Sequence, residues 1–292
     1  MPNSPQLRIV RKSEAYWRVT FDNPPLNLLN PDTINELHHM IGKIEDDSRL
    51  KVVVFDSADP DFFIAHYDMS RAGETPTRPE PSGLPRWIDF TTRLAKVSVV
   101  SVASIRGRAR GVGSEFLLAC DLRFASLEKA IFGQPEVAVG LIPGGGAVER
   151  LSILVGRARA LEVLLGSDDF DASTAERYGW INRAVPDADL DAFVDNLARR
   201  VASFDRHALA EAKRLINRHG LPDPAELIAT QEAFMQSIGW DGVRARLPKL
   251  AELGIGQRGD FEMQLGQHLG QLANAASPMA APPPKIDRAG GR

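Results

Sequence analysis

The stretch Val97–Ala125 runs VSVVSVASI (97–105), RGRAR (106–110), GVGSE (111–115), FLLAC (116–120) and DLRFA (121–125). The β-branched run Val97–Ile105 has the composition of a strand and ends at Gly107. Gly111–Ala119 then reads as a helix and Leu122–Ala125 as the next strand. A strand, a glycine-rich turn, a helix and another strand make one crossover unit of an α/β fold.

The same alternation extends in both directions. Upstream, Leu7–Val10 and Tyr16–Phe21 predict a hairpin, and Asn23-Pro24-Pro25-Leu26-Asn27 breaks regular structure. Asn30 is placed as an N-cap with Pro31 at the first helical position. Ile34, Leu37, Ile41 and Ile44 recur at helical spacing. Val52–Phe55 is a continuous apolar run, as in a strand covered on both faces, and Phe62–Ile64 is a shorter one. Gly73–Pro85 reads as a flexible loop, and Trp87–Leu94 resumes a helical pattern. Downstream, Gly144–Gly146 leads into a helix through about Leu154. After Pro186, Leu190–Phe204, Ala208–Arg218, Ala225–Ile238, Val243–Leu253 and Phe261–Leu272 carry helical periodicity. The expected division is an α/β core over residues 1–186, a helical region over 187–273 and a disordered Ala/Pro-rich tail over 274–292.

Composition narrows the function classes. The chain has 292 residues, 43% hydrophobic and 25% charged, which suits a soluble globular protein. A net charge of −3 offers no basic footprint for nucleic acid. The single cysteine, Cys120, excludes an intramolecular disulfide and sits in an apolar run that favours a buried thiol. No ligand cluster emerges among the six histidines, so neither a metal nor a redox cofactor is expected. The N-terminus lacks a basic-then-apolar signal, and no apolar run is long enough to span a bilayer, so a cytoplasmic protein without a membrane partner is expected.

Two carboxylates stand out. Glu115 follows Gly111–Ser114, and Glu136 follows Gln134-Pro135 ahead of Ile142-Pro143-Gly144-Gly145-Gly146. First-turn N–H groups lack intrahelical partners and the helix dipole adds positive charge, so such a turn can hold a developing oxyanion. Alternatively the glycines only permit tight packing, and Glu115 only complements the dipole. Glu136 lies among Ile131, Phe132, Val137, Val139 and Leu141, where burial would raise its pKa into a range useful for proton transfer. Its structural alternative is an ion pair with Arg150.

These residues resemble the crotonase (enoyl-CoA hydratase/isomerase) superfamily. The resemblance is carried by Gly111–Glu115, Ala119–Ala125, Phe132–Glu136 and Gly140–Gly146, and continues through Leu151 and Gly156-Arg157-Ala158. Asn23–Asn27, Phe63–Met69, Ala175–Asn182 and Ala208–Asn217 fit as well, so it covers about residues 6–250. It implies an α/β spiral of ββα units with a helical C-terminal region that covers the active site and assembles trimers or hexamers. It implies an acyl-CoA substrate, with coenzyme A as part of that substrate rather than a cofactor. By motif position, the backbone N–H groups of Tyr67 and Val112 would form the oxyanion hole. Glu115 and Glu136 would be catalytic, and the backbone at Gly144 would help position water. Ala65, His66, Asn27, Pro135 and Gly111 would line the substrate pocket.

The chain departs from the family pattern in places. His66 and Val112 stand where glycine is usual, and the spacing from Glu115 to Glu136 is one residue longer, within Ser126–Lys129. Arg244, Arg246 and Lys249 stand where basic residues usually help hold CoA phosphates, although a solvated helix face explains them equally. The glutamate pair points to a lyase that adds water to a 2-enoyl-CoA. The alternatives are another reaction on this fold, namely an enoyl-CoA isomerase or a thioester or C–C hydrolase, with a non-CoA substrate left open, and a catalytically silent binding protein.

Overall fold

The computed structural model describes residues 5–76 and 78–276, with side chains through residue 272. The chain opens with a hairpin, β1 (Leu7–Ser13) and β2 (Tyr16–Phe21), paired antiparallel. Helix α1 (Pro31–Asp46) follows, and the Asn30 side chain accepts from the backbone N–H groups of Asp32 and Thr33. A cap of this kind stabilises by about 1 kcal/mol. Ile34, Leu37, Ile41 and Ile44 all point into the core, as their spacing predicts.

Three strand pairs then repeat. They are β3 (Val52–Ser57) with β4 (Phe62–Ile64), β5 (Val100–Ile105) with β6 (Arg108–Arg110), and β7 (Leu122–Ser126) with β8 (Ile131–Gly133). The first member of each pair joins a six-stranded sheet and the second a four-stranded one. Strands β9 (Asp169–Asp171) and β10 (Arg183–Val185) complete the orders β1-β2-β3-β5-β7-β10 and β4-β6-β8-β9. Within each sheet β3, β5, β7 and β4, β6, β8 run parallel, so the chain advances as a spiral. Helices α2 (Arg86–Lys96), α3 (Val112–Ala119), α4 (Ala147–Val155), α5 (Arg157–Gly166) and α6 (Ala172–Tyr178) fill the connections.

The large sheet is buried on both faces at β3, which accounts for the uninterrupted apolar run there, whereas its edge strand β1 is largely exposed. Val53 and Phe55 face the main core with α1 and α3, whereas Val52 and Val54 face α7 (Asp187–Ala202) through Leu190, Val194 and Ala198. Each such fully buried aliphatic side chain stabilises by about 1.5–3 kcal/mol. The remaining helices are α8 (Arg206–Gly220), α9 (Pro224–Ser237), α10 (Asp241–Glu252), α11 (Asp260–Met263) and α12 (Leu265–Ala276).

Several details differ from the sequence expectation. The strand expected over Val97–Ile105 begins at Val100, because residues 97–99 close helix α2. The single helix expected over Phe261–Leu272 is two, separated at Gln264. Of the small sheet only β4 was expected, as the short run Phe62–Ile64; β6, β8 and β9 are three residues long and carry no alternation. Helix α12 reaches Ala276, three residues into the segment expected as a tail; residues 277–292 lie outside the described residues. Among the described residues no helix is long and apolar enough to cross a membrane. Cys120 is buried, as expected.

Candidate active site

The small sheet assembles the site. Strands β4, β6 and β8 are parallel neighbours, with Ile64 opposite Ala109 and Arg110 opposite Gly133. Their C-terminal ends therefore deliver three segments to one edge: Ala65–Tyr67 after β4, Gly111–Val112 after β6, and Gln134–Glu136 after β8. That edge is where parallel sheets commonly bind ligands.

Tyr67 forms an isolated parallel bridge with Leu29. The bridge uses its neighbours: the Leu29 N–H donates to the His66 carbonyl at 3.0 Å, and the Asp68 N–H donates to Leu29 at 2.8 Å. The Tyr67 N–H is thereby directed to the opposite side. Its phenol pairs with Thr75. Val112 is the first residue of α3, where an N–H has no acceptor within its own helix. Gly111 caps that helix at φ 51° and ψ −122°, a combination that glycine adopts and that strains a residue with a Cβ. A Cβ at Gly111 would also lie 2.7 Å from Glu136 Oε1, so the absence of a side chain is what lets the second carboxylate approach the start of α3.

Glu115, in the first turn of α3, is buried, and its Oε1 accepts from the Gly145 N–H at 2.7 Å. Burial raises its pKa; the Gly145 N–H and the nearby Arg150 guanidinium oppose that rise without cancelling it. Glu136 is raised too, by burial of its carboxyl and then by the charge of Glu115, with a 3.2 Å hydrogen bond from Gln134 Nε2 as a weak counterweight. The environments are unequal. Glu115 has a backbone donor and a cation to favour its ionised form, whereas Glu136 has a negative neighbour that favours its protonated form. Arg150 does not pair with Glu136 among the described residues. It lies by Glu115, donates to the Gly145 carbonyl at 3.3 Å and to Thr91 at 3.2 Å, and is pulled down to about 10 by burial despite Glu115 and Glu149.

The other expected pocket residues are placed as follows. Pro135 packs beside Gly111 and Glu136. Ala65 is fully buried against Leu26 and Phe62. Asn27 is buried with its side chain committed to the turn, accepting from the Asn23 N–H at 2.7 Å and donating to Ser57 Oγ at 2.7 Å. His66 is buried, with Nδ1 on the Tyr67 carbonyl and Nε2 on Glu262, each at 2.8 Å. Gly144 abuts Phe234 of α9, and the Ile142 N–H donates to Ser237 at 3.2 Å, so this helix covers the loop over Ile142–Gly146. Arg244, Arg246 and Lys249 are exposed on α10.

Sequence reasoning missed Trp87. A Cβ at Gly145 would fall 1.9 Å from Glu115 Oε2 and 2.5 Å from Trp87 Nε1, so indole and carboxylate converge on one point. The indole N–H is buried without a hydrogen-bond partner. Its only sequence signal was a place at the start of a helix next to a proline-rich loop. Collectively the edge offers two candidate backbone donors and two carboxylates raised by burial, of which Glu115 has the groups that favour ionisation and Glu136 the negative neighbour that favours protonation. Such a set can stabilise an enolate while exchanging protons with it. Among the described residues no group of three or more His, Cys, Asp or Glu could hold a metal.

Comparison with known proteins agrees with this architecture. The sequence profile of the enoyl-CoA hydratase/isomerase family matches residues 11–239. The short-chain-enoyl-CoA hydratase of Clostridium acetobutylicum is 34% identical over 211 residues, covering 72% of this chain and 80% of that protein. A mitochondrial protein of Dictyostelium discoideum assigned as an enoyl-CoA hydratase is 30% identical over 203 residues, covering 68% and 71%. A crystal structure from Streptomyces avermitilis, provisionally assigned as an enoyl-CoA hydratase, superposes with a TM-score of 0.86 at 44% identity, covering 91% of this chain and 96% of that one. The chain is an enzyme of the enoyl-CoA hydratase/isomerase family, with the crotonase fold.

Proposed function

We propose that the protein is a hydratase that adds water across the 2,3 double bond of a 2-enoyl-CoA. The observation that carries this reading is the unequal pair: burial raises both carboxylates, Gly145 and Arg150 draw Glu115 part of the way back toward ionisation, and the charge of Glu115 pushes Glu136 further toward protonation. The Tyr67 and Val112 N–H groups receive the thioester oxygen as it becomes an enolate oxygen. Glu115 takes a proton from water while the water oxygen bonds to C3, and the Gly144–Gly145 backbone lines the water position. The π electrons move onto the thioester oxygen. They return to C2 as it takes the proton of Glu136, leaving a 3-hydroxyacyl thioester. A proton passed through solvent from Glu115 to Glu136 restores the starting state.

Pro135 lines the acyl side, with Trp87 beside the water. The family resemblance also carries a trimeric or hexameric assembly. The experiment is steady-state hydration of short and medium 2-enoyl-CoAs by wild type, Glu115→Gln and Glu136→Gln. Each variant is expected to lose about 10²–10⁴-fold in kcat, the usual contribution of a positioned acid or base. Near-wild-type hydration by Glu136→Gln would refute the mechanism. Isomerisation of 3-enoyl-CoA, measured alongside, distinguishes the alternative double-bond shift.

A further inference from the structure

His66 and Glu262 lie 196 residues apart in sequence, yet both are buried and joined at 2.8 Å. The Tyr67 carbonyl can only accept, so Nδ1 donates to it, and Nε2 faces the Glu262 carboxyl. Burial would raise Glu262, but the hydrogen bond and charge of His66 hold it down, which favours a protonated ring facing an ionised carboxylate. Burial alone would lower the histidine pKa, but the hydrogen bond and charge of Glu262 raise it overall. The same carboxylate oxygen accepts the Gly256 N–H at 2.6 Å, which ties the segment leading into α11 to the ring.

Glu262 reaches the second loop through its main chain. Its carbonyl accepts from Arg110 Nη1 at 2.6 Å. Arg110 is buried, and its Nε and Nη2 each donate to Asp169 at 2.7 Å. The adjoining Met263 carbonyl accepts from Arg108 Nε at 2.7 Å. Arg110 stands two residues before Val112, and His66 one residue before Tyr67. One residue from the far end of the chain thus grips the approach to both donor loops. The carbonyls flanking the Tyr67 N–H are held as well, one by Leu29 and the other by His66 itself.

We propose that Glu262, acting through His66 and Arg110, is a positioning residue that sets the relative placement of the Tyr67 and Val112 N–H groups. The inference rests on the reading of those two groups as the oxyanion donors. It makes α11 part of the machinery for transition-state stabilisation, and it gives His66 an indirect role, with both ring nitrogens engaged away from substrate. A displacement of a donor by about 1 Å can cost about 10²-fold in rate while leaving ground-state binding nearly intact.

The test uses cinnamoyl-CoA, whose absorption band moves to longer wavelength when its thioester carbonyl is polarised. The variants are Glu262→Ala, Glu262→Gln and His66→Asn; the last keeps a donor near the Nδ1 position and loses only the bond to Glu262. Wild type is expected to shift the band. Glu262→Ala and His66→Asn should lose at least half of that shift and about 10-fold or more in kcat, with KM changed far less, and Glu262→Gln should fall between. If Glu262→Ala does not fold, His66→Asn carries the comparison. Variants that bind the probe with the full shift and keep wild-type kcat overturn the proposal. If wild type binds cinnamoyl-CoA with no shift, the donor assignment itself fails and the clamp falls with it.

Discussion

The Glu115 carboxylate accepts a 2.7 Å hydrogen bond from the backbone N–H of Gly145, thirty residues further along the chain. This contact joins the first turn of α3 to the loop that precedes α4. It fixes one oxygen of the carboxylate, and the other lies with the Trp87 indole nitrogen on the side of Gly145 where a Cβ would stand.

Gly145→Ala tests that placement. The added methyl would lie 1.9 Å from Glu115 Oε2 and 2.5 Å from the indole nitrogen, so the carboxylate must move. A loss of about 10²-fold in kcat is expected, from displacement of a reacting group by about 1 Å. Steady-state hydration kinetics measure it, with circular dichroism to verify that the fold persists. Retained kcat would show that Glu115 is not the proton acceptor.

Val112→Pro isolates a single backbone donor. Proline is tolerated at the first position of a helix and lacks only the N–H. Helix α3 should form, while kcat falls about 10²–10³-fold, the usual effect of removing one oxyanion donor. Val112→Gly keeps the N–H and should keep most of the activity. The ratio of the two rates measures the contribution of the donor.

The pH dependence of kcat/KM should be bell-shaped. The acid limb reports protonation of the Glu115 side of the pair and the alkaline limb loss of the Glu136 proton. Both carboxylates are shifted upward, so the whole bell lies above the ordinary carboxylate range. Glu136→Gln should abolish the alkaline limb in whatever activity remains. A profile with its acid limb at an ordinary glutamate pKa would contradict the assignment.

Glu136 should also cost stability as the pH rises. Its folded pKa lies above its unfolded value, so the folded state keeps a proton that the unfolded chain has already released. Stability then falls as pH climbs from the ordinary glutamate range up through the raised folded pKa. Glu136→Gln removes this penalty. Its melting temperature should exceed that of wild type by a few degrees above that window, and the gap should close in acid. Thermal melts across pH read the difference directly.

Five of the six strands of the large sheet and most of its helices were legible in local patterns, because those elements bury a face with its own periodicity; the three-residue strand β10 was not. Asn30 and Pro31 marked the start of α1, and the run Val52–Phe55 announced a strand covered on both sides. Of the small sheet only β4, Phe62–Ile64, was legible. Arg108-Ala109-Arg110 looks like a polar connector until Asp169 and the carbonyls of Glu262 and Met263 take up its guanidinium groups. Those partners come from far along the chain, and no local propensity encodes them.

The same division holds at the site. By itself the sequence determined the family, the α/β class, and Glu115 and Glu136 as the carboxylates to watch, because glycine turns and their spacing are local features. Only the tertiary structure decided which groups surround each carboxylate. Arg150 serves Glu115 rather than Glu136, Trp87 enters beside Gly145, and His66 turns away to Glu262. Burial and charge act through space, so the inequality of the two glutamates exists only once the spiral brings its turns together.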